Sequence, residues 1–366
     1  MDASRHVVAG LREAARDRAD LALDAFARAL DLDPHHVPAR QARAATLMGL
    51  GRYDDALADA RVALIARHGP EAPPETWASA VKLRHDIEQL RHLAESGLLP
   101  ALARDGESAL AAVLAELAPH QPQRLSELQK ARIGGFYNRL LHLDPGARVA
   151  ARAVSEGWTR DAASSAYAQT RLAVVDGFLT PQALAALRRF CLDSTIWFDA
   201  THVGGGRGYI GADGMDGFAC PLLFQIAEEL RCALPGVIGP LPLTKLWAFK
   251  YDSSLQGIAA HADAAQVNVN FWLTPDEANR DPAGGGMVVH DAPVPEAWDF
   301  QRYNADPSAL MRHVRDSGAR AVTVPHRQNR AVIFDSGLVH ATAPLRFRAG
   351  YANRRINVTL LFGHRR

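Results

Sequence analysis

The sequence predicts an α+β protein of more than one domain, in which an all-α amino-terminal region precedes a β-rich carboxy-terminal domain. Alanine and leucine recur at helical spacing through residues 1–70, and part of this pattern repeats. From residue 246 onward, apolar and polar residues alternate in short segments, which is typical of half-buried strands. The length of 366 residues exceeds that of a typical single domain. We expect helical repeats in residues 1–70, a further helical region in residues 71–165 and the β-rich domain in residues 166–366.

The overall composition argues against several classes of protein. The formal net charge is +1, the sequence pI is about 7.9 and no basic stripe is present, which argues against a nucleic-acid partner. The three cysteines form no Cys-x-x-Cys pair, so neither a disulfide framework nor a zinc knuckle is indicated. The amino terminus lacks an apolar signal core, and no apolar stretch is long enough to cross a bilayer. We therefore expect a cytoplasmic protein with no membrane partner.

The amino-terminal helices contain an internal repeat. Four residues, Ala22, Phe26, Ala29 and Leu30, are echoed 34 residues later by Ala56, Ala60, Ala63 and Leu64. This period resembles that of the tetratricopeptide repeat (TPR), and the alternative is an ordinary helical hairpin. Two such repeats are too few to be stable alone, because each needs neighbours to cover its apolar face. We expect residues 71–160 to supply them, with helices near residues 77–95, 107–117 and 124–143.

The β-rich domain is predicted to open with a strand and a helix. Leu172–Val175 is short and apolar, and Thr180 followed by Pro181 is a strong helix start, with threonine as the N-cap and proline at the first helical position. A second helix is predicted near residues 224–231. The remaining strands are predicted at residues 246–251, 266–274, 331–340 and 353–363.

Two of these strands place polar side chains together on one face. In residues 353–363, Arg355, Asn357 and Thr359 share a face, and the apolar residues between them occupy the other. In residues 266–274, Asn268 and Asn270 share a face in the same way. These polar faces either line a ligand pocket or meet solvent.

Two irregular segments interrupt the strand pattern. Residues 204–217 are dense in glycine, and we interpret them as a movable cover over a functional site, the alternative being a plain surface loop. Arg207 and Tyr209 would then be the side chains that reach a substrate. Residues 291–320 are expected to be an insertion between strands, with a short helix near residues 310–314.

Three residues suggest metal chemistry. His261 and Asp263 are two positions apart, so in extended backbone their side chains leave on the same face. Two imidazoles and one carboxylate on one side of an iron ion form the facial triad of non-haem Fe(II) oxygenases. His340, at the end of a predicted buried strand, is our candidate for the third ligand. His290 is its main rival.

The order of these motifs resembles a known family over residues 172–363. It is similar to the Fe(II)/2-oxoglutarate-dependent dioxygenases, whose fold is a double-stranded β-helix, a jelly-roll or cupin-like barrel with flanking helices. The resemblance is carried by residues 245–251 (KLWAFKY), 261–263 (HAD), 284–289 (GGGMVV), 334–340 (FDSGLVH) and 355–357 (RIN).

The resemblance implies roles for individual residues. It implies that His261, Asp263 and His340 are the catalytic iron ligands. It also implies that Arg355 grips the far carboxylate of 2-oxoglutarate. Arg354 is the rival for this role, but strand alternation should turn it to the opposite face. Tyr251 is a weaker candidate for cosubstrate binding.

Further expectations concern the cofactors. Asn270 and Asn357 are candidates for the cosubstrate pocket, on the faces described above. The expected cofactors are Fe(II), 2-oxoglutarate and O2, and ascorbate is left open. The carboxylate of Asp263 favours hydroxylation, because halogenating relatives leave that iron position to chloride.

The expected reaction is hydroxylation of an unactivated C–H bond. Our first hypothesis for the substrate is a protein or peptide side chain recruited by the TPR-like region, since such arrays bind peptides in a groove. The alternative is a small metabolite or natural-product intermediate, and demethylation of nucleic acid is disfavoured by the neutral charge. A hypothesis of another class is a catalytically inert TPR interaction scaffold.

Overall fold

The chain folds into a helical amino-terminal half and a carboxy-terminal half built around antiparallel sheets. A computed structural model describes residues 2–119, 121–200, 208–251, 254–295, 297–298, 302–303 and 306–365. Within these residues the α-helices are α1 (Ala3–Ala14), α2 (Ala19–Leu32), α3 (Val37–Gly49), α4 (Tyr53–His68), α5 (Ala80–Glu95), α6 (Pro100–Leu114), α7 (Glu127–Ile133), α8 (Arg160–Thr170), α9 (Pro181–Asp193), α10 (Pro221–Ala233) and α11 (Pro307–Asp316).

The strands lie mainly after α8. They are β1 (Trp77–Ala78), β2 (Gln123–Arg124), β3 (Leu172–Val175), β4 (Ile210–Asp213), β5 (Leu243–Tyr251), β6 (Val267–Trp272), β7 (Met287–Pro293), β8 (Ala321–Val324), β9 (Ala331–Asp335), β10 (Leu338–Thr342) and β11 (Arg355–Phe362). Among the helices of the described residues, none is long and apolar enough to cross a membrane.

The first four helices pack in two pairs, α1 with α2 and α3 with α4. Helix α3 begins 34 residues after α1, and α4 begins 34 residues after α2, in agreement with the period read from the sequence. All eight residues of the predicted repeat are buried. That these pairs are tetratricopeptide repeats remains a prediction.

The second helical pair is part of the same core as the β-rich half. Tyr53 of α4 stacks on Phe224 of α10, with ring centroids 4.3 Å apart. The side-chain amide of Gln41 in α3 donates to the main-chain oxygen of Met215, beyond β4. One continuous cluster of buried apolar side chains joins α3 and α4 to the large sheet. Removing these helices would therefore expose the core of the β-rich half.

Residues 71–160 differ from the predicted three helices. The first helix begins at Ala80 and not near residue 77, because Trp77–Ala78 pairs with β2. The second covers Pro100–Leu114, earlier than expected. The third prediction, residues 124–143, is wrong beyond Ile133. There Gly134 and Gly135 follow the helix, and Arg139 donates to the main-chain oxygens of Gly134, Gly69 and Ala72, which holds the segment in a non-helical path.

Apart from the two-stranded β1-β2 sheet, the described strands form two antiparallel sheets with a cavity between them. The large sheet has the order β3-β9-β6-β11-β5-β4, and the small sheet has the order β10-β7-β8. A segment ending at His261 pairs with β10 at the free edge of the small sheet. Residues of both sheets line the same cavity, which is what a barrel of facing sheets requires.

One predicted strand is two strands in the structure. Residues 331–335 form β9 in the large sheet, whereas residues 338–342 form β10 in the small sheet. The chain turns at Ser336 and Gly337, where the Gly337 amide donates to the Asp335 carboxylate at 2.9 Å. Both strands are largely buried, and the apolar residues on either side of Asp335, Ser336 and Gly337 made the segment resemble one buried strand.

The predicted glycine-rich cover is only partly a loop. Residues 210–213 form β4 at the edge of the large sheet, and a short 3₁₀ turn follows at Gly214–Asp216. Residues 201–207 lie outside the described part of the chain, so the structure does not bear on the cover as a whole. The short helix predicted near residues 310–314 lies within α11.

Candidate metal centre and its two cavities

Three side chains predicted from the sequence as metal ligands lie together. Each of His261, Asp263 and His340 offers one ligand atom, and these atoms all lie within 4.8 Å of one another. The Nε2 atom of His261 is 3.9 Å from Oδ1 of Asp263, and the Nε2 atom of His340 is 3.5 Å from Oδ2. No other such cluster is found among the described residues.

Main-chain hydrogen bonds bring these residues together. The amide of His261 donates to the oxygen of His340 at 3.0 Å, and the amide of His340 donates to the oxygen of His261 at 2.9 Å. The amide of Asp263 donates to the oxygen of Ser336 at 2.9 Å. The cluster therefore sits where the end of β9 and the start of β10 meet the segment before β6.

The orientation of both imidazoles suits metal binding. Nδ1 of His261 lies 2.8 Å from the main-chain oxygen of Ala259, and Nδ1 of His340 lies 2.9 Å from that of Leu338. A carbonyl oxygen only accepts, so each Nδ1 carries the proton and each Nε2 keeps its lone pair. Both lone pairs are thus available at the side of the ring that faces Asp263.

The protonation states also suit a divalent cation. Burial, together with the neighbouring His340, lowers the pKa of His261 to about 4. Burial opposes ionisation of Asp263, but its contacts with His340 and His261 and the hydrogen bond that it accepts from Asn268 outweigh burial and hold its pKa below the usual value. At neutral pH the cluster combines a neutral His261 with a carboxylate, and its donor set of two imidazoles and one carboxylate fits iron and related divalent metals.

An inner cavity extends from the cluster between the two sheets. It contains about 450 Å³ of empty space, part of which is open to solvent. At its wall lies Arg355, a residue that is only 2 % exposed. The lining residues are Trp247, Phe249, Tyr251, Ile258, His261, Asp263, Asn268, Asn270, Met287, His340, Ala341, Thr342, Arg355, Asn357 and Thr359.

Arg355 is a buried cation that no described carboxylate neutralises. Its Nε donates to the oxygen of Gly285 at 2.6 Å and its Nη2 to that of Gly286 at 3.1 Å. The rings of Tyr251 and Trp272 lie 5.2 and 5.5 Å from its central carbon. Burial lowers its pKa to about 10, so it stays charged at neutral pH. A buried charge without a counter-ion is costly, and an anionic ligand in the cavity would relieve that cost.

The glycine cluster at residues 284–286 has a definite role. Gly285 has a φ of +74°, a conformation that favours glycine, and a Cβ on Gly286 would meet the oxygen of Val324 at 1.9 Å. Only glycines therefore allow these two carbonyls to face Arg355. The glycine cluster is visible in the sequence. Its role in directing two carbonyl oxygens at Arg355 depends on the backbone conformation, so sequence analysis missed that role.

The structure distinguishes the predicted site residues from their rivals. Arg354 points away from the cavity and donates to Glu88 of α5 at 2.8 Å. His290 does not belong to the three-residue cluster. Arg207 lies outside the described residues. Tyr251, Asn270 and Asn357 line the inner cavity, and sequence analysis did not assign roles to Asn268, Trp272 and Thr342.

An outer cleft of about 1300 Å³ opens beside the metal cluster. His261 and Asp263 line both this cleft and the inner cavity, so the cluster lies where the two spaces meet. Tyr209 lies in the cleft wall with its ring against Phe249 at a centroid distance of 4.5 Å. Trp247 lies on the same wall. The cleft is the natural place for a substrate.

Comparisons with known proteins give structural neighbours only. No protein-family model matches the sequence, and no curated protein matches it. Among solved structures, the non-haem 2-oxoglutarate-dependent epimerase SnoN of nogalamycin biosynthesis is 16 % identical, with 56 % of this chain and 82 % of that chain covered and a TM-score of 0.39. A Pseudomonas putida prolyl-4-hydroxylase is 16 % identical, with 58 % of this chain and 98 % of that chain covered and a TM-score of 0.31. HygX from Streptomyces hygroscopicus is 15 % identical, with 56 % of this chain and 87 % of that chain covered and a TM-score of 0.38.

Iron and 2-oxoglutarate are present in some of these neighbours. SnoN was crystallised with Fe3+ and 2-oxoglutarate, and HygX with iron and, separately, with nickel and 2-oxoglutarate.

Replacing His340 should abolish metal binding, whereas replacing His290 should not. Removing one of three ligands leaves an incomplete donor set, so we expect His340→Ala to weaken Co(II) or anaerobic Fe(II) binding by roughly 100-fold or more. His290→Ala is the matched control, because it removes the rival imidazole from the same small sheet. Isothermal titration with each metal measures the difference. Equal affinities of the two variants would contradict the ligand assignment.

The histidine behind Arg355 should make the fold sensitive to acid. His326 is 6 % exposed, and burial together with the charge of Arg355 lowers its pKa to about 3. Between about pH 6.5 and pH 3 the unfolded chain binds a proton there that the folded chain does not, so the free energy of unfolding falls as pH falls, by at most about 1.4 kcal/mol per pH unit. His326→Gln should make this decline shallower in urea unfolding between about pH 7 and pH 5. An unchanged slope would refute the assignment.

Proposed function

We propose that this chain is an Fe(II)- and 2-oxoglutarate-dependent dioxygenase that hydroxylates an unactivated C–H bond. One observation carries the proposal. The three donor atoms of His261, Asp263 and His340 face the same cavity as Arg355, a buried cation without a carboxylate partner among the described residues. A metal site and an anion site in one enclosed space fit a metal-binding, anionic cosubstrate.

His261, Asp263 and His340 would hold the iron. When bound, iron and 2-oxoglutarate together activate dioxygen, with the cosubstrate decarboxylated to succinate. Arg355 would bind the cosubstrate carboxylate that is remote from the metal, by charge-assisted hydrogen bonds. Tyr251 lies against the guanidinium and helps hold it in place. This arrangement argues against a catalytically inert scaffold.

The remaining cavity residues would control orientation and water. Trp247, Phe249 and Ile258 line both the inner cavity and the outer cleft, so apolar surface separates the cosubstrate from solvent. A substrate C–H bond held in the outer cleft would lie beside the residues that would hold the metal, because His261 and Asp263 line both spaces. The carboxylate of Asp263 would fill the metal position that chloride takes in halogenating enzymes. Its presence therefore favours hydroxylation over halogenation.

For the substrate, our first proposal is a protein or peptide side chain. The outer cleft is roomy enough for a side chain together with part of its main chain. Because α3 and α4 pack against the β-rich half, α1 and α2 would be the helices that bind the protein or peptide substrate. There Val8, Leu11 and Leu21 are about half exposed, at 49, 51 and 51 %.

A small metabolite is the second candidate. The observation that favours it is the aromatic wall of the outer cleft, formed by Tyr209, Trp247 and Phe249. Flat apolar surface of this kind also suits a compact ring system.

Replacing Arg355 should separate metal binding from cosubstrate binding. Anaerobic addition of Fe(II) and 2-oxoglutarate to the wild type should give a weak visible charge-transfer band, and air should yield succinate. Arg355→Met should still bind metal but bind 2-oxoglutarate roughly 100-fold more weakly, since a charge-assisted contact is lost. Arg354→Met is the matched control and should retain the band. A wild type that binds metal but shows neither band nor succinate would refute the proposed function.

The substrate class should be visible as added oxygen. Mass spectrometry of protein and metabolite pools treated with active enzyme should reveal a gain of one oxygen atom in a protein pool, with His340→Ala as the inactive control. The double variant Val8→Glu/Leu11→Glu should reduce this modification and leave uncoupled succinate formation unchanged. Oxygen gained only in the metabolite pool would favour the second candidate.

A further inference from the structure

A chain of side-chain hydrogen bonds runs from the metal cluster along the cavity wall. Nδ2 of Asn268 donates to Oδ2 of Asp263 at 2.5 Å. Nδ2 of Asn270 donates in turn to Oδ1 of Asn268. Oδ1 of Asn270 accepts from Nδ2 of Asn357 at 2.7 Å and from the hydroxyl of Thr359 at 2.8 Å. All of these side chains are buried.

Strand geometry accounts for the chain. Asn268 and Asn270 are two apart on β6, and Asn357 and Thr359 are two apart on β11, so each pair lies on one face of its strand. The two strands are adjacent and antiparallel, and Thr359 lies directly opposite Asn270. The result is a polar row across the floor of the large sheet.

The hydrogen bonds of this row have one direction. A carboxylate that binds a metal is ionised and can only accept, so the amide nitrogen of Asn268 must face it. The oxygen of Asn268 then faces Asn270 and requires a donor there. The same reasoning directs the oxygen of Asn270 toward Asn357 and Thr359. Each asparagine thus donates one N–H in the direction of Asp263, and turning one amide over would leave buried groups unpaired.

The row leaves Asn357 poorly suited to bind a carboxylate. Asn357 uses its Nδ2 for both Asn270 and Thr359, at 2.7 and 3.1 Å. What remains on Asn357 is an oxygen, which cannot donate to an anion. These contacts favour a structural task for Asn357 over the cosubstrate contact predicted from the sequence.

We propose that Asn268 is a positioning residue for the metal ligand Asp263, and that Asn270, Asn357 and Thr359 hold Asn268 in place. Asn268 takes one lone pair of Oδ2, which favours Oδ1 as the oxygen that would bind the metal. Coordination through one oxygen would leave other metal positions for cosubstrate and dioxygen. Hydrogen-bonded partners of metal ligands commonly set ligand orientation and affinity. This inference rests on the proposed function, because it assumes that Asp263 binds a metal.

The experiment compares metal affinity with stability. Asn268→Leu keeps the approximate shape but removes the donor, and it should weaken Co(II) and anaerobic Fe(II) binding by about 10- to 100-fold in titrations of the full chain. Asn270→Leu should weaken binding less, because Asn268 keeps its contact with Asp263. Thr359→Val should change binding least, since Asn357 still donates to Asn270.

The matched control removes a buried hydrogen bond outside the row. Thr274 is fully buried, and its hydroxyl donates to the oxygen of Arg354 and accepts from the amide of Ile356, both at 2.8 Å. Thr274→Val should lower the thermal stability of the metal-free protein and leave metal affinity unchanged. A purely structural row would make the asparagine variants behave like this control.

The outcomes are distinct. Graded loss of metal affinity, with Asn268→Leu affected most and Thr274→Val unaffected, would support the proposal. Equal affinity of Asn268→Leu and Thr274→Val would overturn it. If Asn268→Leu does not fold, Asn268→Ala decides on the same criterion. A wild type that binds neither metal would instead overturn the proposed function itself.

Discussion

The reciprocal main-chain hydrogen bonds between His261 and His340 are the contact on which the site depends. They pair the free edge of the small sheet with a segment that otherwise belongs to no regular strand. Directly opposed residues of an antiparallel pair project their side chains to the same face, which explains why the imidazole centroids lie only 4.2 Å apart. The amide bond from Asp263 to Ser336 then fixes the third ligand. Backbone geometry thus brings the three ligand residues together.

The back of the large sheet is where the helical half stabilises this arrangement. Lys250 of β5 is fully buried, with its Nζ atom 4.0 Å from the ring centroid of Trp197 and 4.1 Å from that of Tyr351. Its Nζ donates to the Tyr351 hydroxyl at 2.7 Å. Immediately before β11, Arg354 pairs with Glu88 of α5. These strands carry Tyr251 and Arg355 on their other face, so the contacts with α5 and its surroundings also hold the wall of the inner cavity.

Alternation in short strands made part of the site predictable. Because successive side chains of a strand point to opposite faces, spacing in the sequence alone placed Arg355 and Arg354 on different faces. The same rule placed His261 and Asp263 on one face. The turn that splits residues 331–340 was missed although Asp335, Ser336 and Gly337 are turn-forming residues, because the apolar residues on both sides of them suggested one buried strand. The glycine carbonyls around Arg355 depend on a positive φ, and the role of Asn268 depends on which donors lie across the sheet. Neither of these two features can be recognised from a single sequence.

Charge balance connects the separate parts of the inner cavity. Asp263 contributes a negative charge at one end and Arg355 a positive charge at the other, and each is buried. A divalent cation beside Asp263 would leave the cavity with a net positive charge, because Arg355 has no acidic partner among the described residues. A dicarboxylate that bridged the cation and the guanidinium would cancel that charge within the enclosed space. Metal and cosubstrate should therefore each favour the binding of the other, since the low polarity of the cavity strengthens the attraction between them.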